Sequence, residues 1–412
     1  MKLPAFTLGI GDRFGHQGEA QLRALQRATA QGIEVSPVWN KSNREHNLIG
    51  TEPSSLREEA DAAVNALGWK APYFVDADHI NLNTVDRFLN ASDFFTIDVA
   101  DSIGKTPDPA AVERLVAKHE GEPLDYPGLS SPIRRGPGEI RDAAAKFLAA
   151  MQEAGDVYRH IAARKTAGSF VVEVSTDEAS SPQTPAELYL ILAMLADEGV
   201  PVATIAPKFT GQFNKGVDYE GNLADFTREF EDDLIVLKHA GPALGLPEGL
   251  KLSVHSGSDK FSIYPVINRL VKQHGAGLHL KTAGTTWLEE IAAIAASGEE
   301  GRVLAAGIYA DALARYDEVT APYATVLHID RSKLPLPEEV ASWDGARLSR
   351  AIIHEQSCPD FNPHVRQLFH VAFKLAAEAG PKFTDLLRQH SAAVGEAVSG
   401  NLWLRHLKPL FL

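Results

Sequence analysis

Two histidines stand in or just after short apolar runs of β character: His255 follows Lys251–Val254, and His279 lies in Gly277–Leu280. Imidazole nitrogens are common ligands of a divalent transition ion, and one carboxylate from a further run would complete a shell with open positions for substrate. A histidine in a strand also serves as a hydrogen-bonded core residue, and ligands this far apart leave no short motif, so spacing alone does not separate the two readings. The run Ser169–Val174 supplies acids at its end, namely Glu173, Asp177 and Glu178. On extended chain Asp177 and Glu178 would face opposite ways, but a turn just past a strand can aim both inward. One would then bind the metal while the other moves a proton. Alternatively they are an acidic pair before the helix entrance Ser181–Pro185, favoured by the helix dipole.

Further polar groups fall at the ends of other runs. Lys208, Lys215, Lys260 and Lys281 follow the later ones, and a cationic mouth suits an anionic or hydroxyl-rich small molecule. The phrase His255-Ser-Gly-Ser-Asp-Lys260 is denser in chemistry than a turn requires, since its glycine allows close backbone approach and its serines offer donors to an oxyanion. Lys208, Ser256, Asp259, Lys260 and Lys281 are the expected substrate-binding set. Asp218 sits in the glycine-studded GQFNKGVDYEGN, either a lid carrying an acid or a solvated turn. Asp76-Ala-Asp-His79 reads as a weaker metal pair or as hydrogen-bonding support. Cys358 carries no nucleophile signature.

Eight β-rich runs must position these groups: Ala5–Ile10, Ile33–Trp39, Pro72–Val75, Phe94–Ile97, Ser169–Val174, Val202–Ile205, Lys251–Val254 and Gly277–Leu280. Segments of helical spacing alternate with them, as where Ile140, Ala143, Phe147, Leu148 and Met151 form one apolar stripe. Eight strands with return helices close into an α/β fold of the (β/α)8 TIM-barrel type, whose active site lies at the carboxyl ends of the strands. An open dinucleotide-binding sheet is the competitor, but Gly9-Ile10-Gly11-Asp12 lacks the third glycine of its fingerprint. The barrel is expected over residues 1–300, with a Pro- and Gly-rich excursion at 105–137 serving as a lid or an oligomer contact. A helical extension over 301–412 would pack on the barrel, with a partner subunit of a homo-oligomer as a further surface for it.

The 412 residues carry 40 Lys and Arg against 54 Asp and Glu, a net charge of −14, with 44% hydrophobic residues. That is a well-cored globular composition. The acidic balance and the lack of a basic run argue against nucleic acid as a partner. No apolar run nears the roughly 18 residues of a membrane span, so neither membrane insertion nor a secretory leader is expected. A single cysteine forms no internal disulfide, which makes a cytoplasmic location the expectation.

The phrases GIGDRFGHQGEAQLRA, VDADHINL, TDEASSPQTP, PKFTGQFNKGVDYEGN, SVHSGSDKFSIYP and LHLKTAGTTW extend from about residue 9 to 287. In them the sequence resembles the tagaturonate epimerase family, which interconverts tagaturonate and fructuronate and has relatives that are ketohexose 4-epimerases. The resemblance implies a barrel, one divalent transition metal ion (Zn, Ni, Mn or Co), and an acid/base pair. It places the proton acceptor at Asp177, metal ligands at Glu178, His255 and His279, and the second acid/base at Asp218, with Asp259 as its alternate. The stereocentre inverted lies β to a ketone and is not acidified by it, so a retro-aldol route with a metal-stabilised enediolate is the expected chemistry. Two other readings remain: a Schiff-base aldolase using Lys208 or Lys281, and a catalytically silent sugar-acid-binding protein.

Overall fold

The computed structural model describes residues 1–412, apart from the side chain of Ala283. Ten strands form in chain order: β1 (Phe6–Ile10), β2 (Val35–Ser42), β3 (Phe74–Ile80), β4 (Phe94–Asp98), β5 (Gly121–Leu124), β6 (Ile133–Arg135), β7 (Val171–Ser175), β8 (Val202–Ala206), β9 (Lys251–Val254) and β10 (Leu278–Lys281). Eight of them close a barrel in the order β1-β2-β3-β4-β7-β8-β9-β10 and back to β1, every pair parallel. The (β/α)8 architecture read from the alternation of runs is the one observed.

Alternation along each strand decides what the barrel contains. Outward positions such as Leu8, Val75, Ile97, Val174, Ile205, Val254 and Leu280 are apolar and join the main core beneath the helices. Inward positions begin with a small apolar floor of Val38, Phe74, Phe94 and Val171. Above it the inward residues turn polar: Thr7, Asp76, Thr96, Glu173, Thr204, Ser253 and His279 are all buried. Barrels of this type usually fill this layer with branched apolar side chains, so a polar interior must be hydrogen-bonded throughout or paired in charge.

The helices start where local chemistry provides caps. Thr184 and Glu187 form a reciprocal capping box with Pro185 in the first turn, and Asn222 accepts from the amides of Ala224 and Asp225. Gly275 ends its helix at φ 60°, a left-handed conformation that glycine adopts without strain.

The 105–137 excursion is neither a loop nor a lid. It folds as a helix, Pro109–His119, followed by the β5–β6 hairpin, and lies on the barrel's flank. Lys118 Nζ meets Asp197 at 2.6 Å, Ser130 N donates to Asp232 at 2.8 Å, and the Tyr126 ring stacks on His239 with centroids 4.9 Å apart. These contacts fix it to the helices Pro185–Asp197 and Leu223–Ala243.

From Glu299 onward the chain is helical, and it is tied to the loops of the mouth. Arg366 is fully buried; its guanidinium donates to Gly216 O (2.6 Å), Ile352 O (2.6 Å) and Asp259 Oδ1 (2.9 Å). Arg13 Nη1 donates to His370 O at 3.1 Å, and Lys215 N donates to Val326 O at 2.8 Å. Among the described residues, no helix is long and apolar enough to cross a membrane. Arg366 carries the charge that balances buried Asp259, so Arg366→Leu leaves that carboxylate without its guanidinium, beside histidines His354 and His406 whose pKa values burial lowers. Urea denaturation should show a loss of about 3–5 kcal/mol.

Candidate active site

Lys281 organises the centre of the barrel. Its ammonium lies 3.0 Å from Asp76 Oδ2, 2.7 Å from Asp78 Oδ1 and 3.1 Å from Glu173 Oε1, and it donates to Thr96 Oγ1 at 2.6 Å. The lysine stem crosses from β10 over Gly9 of β1, where a Cβ would come within 3.0 Å of it. Burial works against the charge, yet three carboxylates hold the Lys281 pKa well above its ordinary value. Burial pushes Asp76 up to about 7, with Asp78 and Glu173 adding and Lys281 opposing.

Above this cluster stand two imidazoles. His255 Nε2 is 2.6 Å from Glu173 Oε1, and its Nδ1 is 3.4 Å from Asp177 Oδ2. Burial and Lys281 lower its pKa, but Asp177 and Glu173 outweigh them, so the ring is held protonated above its ordinary range. Asp177 also accepts from Ser175 Oγ. Burial raises its pKa, but His255 and His79 carry it well below the usual carboxylate range. His79 bonds Asp98 Oδ2 at 3.1 Å, and its ring centroid is 5.2 Å from that of His255. Burial again opposes the charge, but Asp78, Asp98 and Asp177 push His79 up to about 10. Two carboxylate-held imidazoles thus face each other at the mouth, with Asp177 beside them.

The expected site residues divide. His255, Asp177 and Lys281 meet in one network. His279 sits one layer lower, Nδ1 2.8 Å from Thr7 Oγ1, with Phe94 against its ring. Glu178 is exposed at the rim, and the carboxylate beside His255 is Glu173 instead. Asp218 is engaged in a turn, accepting from Ser262 N (3.1 Å), Ser262 Oγ (2.9 Å) and Tyr219 N (2.7 Å). Asp259 is locked to Arg366, so neither it nor Asp218 stands at the imidazoles as a second acid/base.

The expected substrate-binding groups divide likewise. Lys260 is fully buried and donates to the carbonyls of Asn214, Val217 and Ser258, which makes it a loop tie. Lys208 Nζ donates to Ala179 O at 2.7 Å and likewise joins two loops. Ser256 is at the mouth, accepting from Lys215 Nζ at 2.8 Å. Of the phrase Asp76-Ala-Asp-His79, read as a weaker metal pair or as hydrogen-bonding support, Asp76 and Asp78 hold Lys281 while His79 bonds Asp98. Their inward aim comes from strand geometry that composition does not show.

Comparison with known proteins decides the family. The sequence matches the tagaturonate epimerase family over residues 1–126 and 130–408. This chain belongs to the tagaturonate epimerase family. It is 30% identical over 380 residues to the tagaturonate/fructuronate epimerase of Thermotoga maritima, covering 89% of this chain and 72% of that protein. Its fold matches the glycerol-complexed fructuronate-tagaturonate epimerase of Cohnella laeviribosi with a TM-score of 0.81 at 23% identity, over 100% of this chain and 82% of that one. The native crystal structure of that Cohnella protein gives 0.80 over 98% and 81%. Membership makes the chain an isomerase, an epimerase of the racemase and epimerase group.

The expected metal was tested against the donors that this family member presents. His279 Nε2 is buried and has no hydrogen-bond partner, burial keeps the ring neutral by lowering its pKa to about 3, and the Glu173 carboxylate meets His255 Nε2 at 2.6 Å. By chemistry, Glu173, His255 and His279 fit a divalent transition ion. In the placement shown, no three His, Cys, Asp or Glu side chains among the described residues gather to hold one.

The two protonated imidazoles tie stability to pH. Folded His79 keeps its proton up to about 10, whereas the unfolded residue releases it near 6.5. Its contribution is therefore complete below about 6.5 and is lost as pH rises toward 10. His79→Asn, a residue that tolerates the left-handed backbone there, should be less stable than the parent at pH 6. Chemical denaturation should show that gap closing by pH 10.

Proposed function

We propose that the protein interconverts tagaturonate and fructuronate by breaking and remaking a carbon–carbon bond, with Asp177, His255 and His79 handling the protons. The observation that carries this reading is the facing pair of carboxylate-held imidazoles, His255 and His79, with ring centroids 5.2 Å apart beside Asp177. The family likeness supplies the substrate class.

Asp177 accepts the hydroxyl proton of the stereocentre. A carboxylate this acidic is a weak base, so the step relies on surrounding positive charge to acidify the hydroxyl. The bond to the carbon next to the ketone then breaks, leaving an aldehyde and an enediolate. The imidazolium of His255 and the ammonium of Lys281 are fixed charges set to stabilise that anion. After the aldehyde turns its other face, the bond re-forms, His79 gives a proton to the new alkoxide, and transfer of the proton held by Asp177 to His79 restores both groups. A divalent ion held by Glu173, His255 and His279, with His255 deprotonated, would supply Lewis-acid stabilisation of the same negative charge in place of the imidazolium.

The Schiff-base alternative needs a neutral amine. Lys281 is held protonated by three carboxylates and Lys208 is spent on a carbonyl, which disfavours both as nucleophiles.

NMR of fructuronate or tagaturonate incubated with the protein in D2O should show the epimer forming without deuterium on the inverted carbon. Deuterium at that carbon rules out the bond-cleavage route. Asp177→Asn should lower kcat about 10²- to 10⁴-fold with the fold intact by circular dichroism. Dialysis against EDTA should abolish epimerisation, and one of Mn, Co, Ni or Zn should restore it. Full activity in chelator would remove the metal from the scheme.

A further inference from the structure

The cations around the mouth are accounted for one by one. Lys281 has three carboxylates, His255 has Glu173, His79 has Asp98, and Arg13 has Glu45 at 2.9 Å. Lys215 is the first of two exceptions. Half-buried in the loop after β8, its ammonium donates to Ser256 Oγ at 2.8 Å, and among the described residues no carboxylate lies within 4.0 Å of it. Arg44, after β2, is likewise without a carboxylate at that distance, and its guanidinium lies over the Tyr323 ring, 4.6 Å from the centroid. Burial and the charges of Arg44 and Arg13 make the Lys215 ammonium less stable, while Asp177 favours it.

A half-buried ammonium with neighbouring positive charge and no counter-ion is poorly placed for stability alone. The fold nevertheless holds it firmly. Lys215 N donates to Val326 O at 2.8 Å, and the serine that receives its Nζ has φ 49°, a conformation that disfavours serine. Such an arrangement is complementary to an anion that arrives with the substrate.

We infer that Lys215, oriented by Ser256, is the anchor for the carboxylate of a sugar-acid substrate and makes this site prefer hexuronates over neutral ketohexoses. This rests on the epimerase reading and adds the group that selects the substrate. Arg44 contributes positive charge from the helix Asn43–Ile49 that follows β2. The ammonium binds the end of the sugar that does not react, so its contribution is to affinity.

The test is calorimetric binding of an unreactive hexonate and of the matching neutral hexitol to the parent, Lys215→Met and Lys215→Arg. The parent should bind the hexonate at least tenfold more tightly than the hexitol. Lys215→Met should lose that tenfold preference while keeping its hexitol affinity, and Lys215→Arg should retain part of it. Lys215→Met should also melt no lower than the parent, because it removes an uncompensated charge; a structural lysine would lower the melting temperature. Equal weakening of both ligands, or an unchanged hexonate affinity, overturns the inference, as does a parent that does not distinguish the two ligands. Failure of the epimerase reading shows separately, as hexonate preference that depends on Lys215 without any epimer formed from fructuronate.

Discussion

A lysine ammonium inside a barrel of carboxylates is the interaction on which the site depends. Asp76, Asp78 and Glu173 are all buried within reach of Lys281, whose charge keeps Asp78 and Glu173 ionised against burial and opposes the rise of Asp76. The consequence reaches upward. A Glu173 kept anionic by Lys281 can hold His255 protonated at 2.6 Å, and His255 in turn keeps Asp177 ionised. Proton-handling groups at the mouth are therefore set by a charge balance one layer deeper. Gly9 belongs to the same balance, because only a residue without a side chain lets the lysine stem cross the barrel.

The C-terminal extension completes the mouth. Arg366, His354 and His406 surround Asp259 on the loop after β9, while Val326, His370 and Tyr323 meet Lys215, Arg13 and Arg44. The helix Pro363–Val371 brings His370 against Gly284, where a Cβ would fall 2.1 Å from the ring nitrogen. The barrel supplies charged groups from its strands, and the extension fixes the loops that carry the rest. Loops held by buried hydrogen bonds present their side chains in one geometry, which catalysis requires.

The barrel was legible because apolar runs mark the outward faces of its strands, and β9 was placed to the residue. β3 was not: read as Pro72–Val75, it runs Phe74–Ile80. Asp76, Asp78 and His79 read as a loop because polar residues seldom occupy a barrel interior, and their counter-ion lies 205 residues away in the case of Asp76. The same distance problem misled the reading of Asp259 and Lys260. Their partner Arg366 and the carbonyls of 214 and 217 are contacts that local composition does not contain. Among four lysines after strand ends, nothing in the chain's order tells which find partners. That Lys208, Lys260 and Lys281 are spent and Lys215 is not follows only from three-dimensional placement.

Two strained backbone positions explain how so many groups reach one mouth. Along β3, Asp76 and Asp78 point inward, so ordinary alternation would send His79 outward among the helices. A register shift between Ala77 and Ile80 and a φ of 52° at His79 turn it back, letting it bond Asp98 and face His255. Ser256 repeats the device after inward-facing His255, its φ of 49° bringing the hydroxyl to Lys215. Each such conformation costs about 1–3 kcal/mol and persists only where the surroundings over-determine it. Here the imidazole–carboxylate bond to Asp98 holds the first. The strain lets one strand end deliver two neighbouring side chains to the same cavity, which a regular barrel strand cannot do.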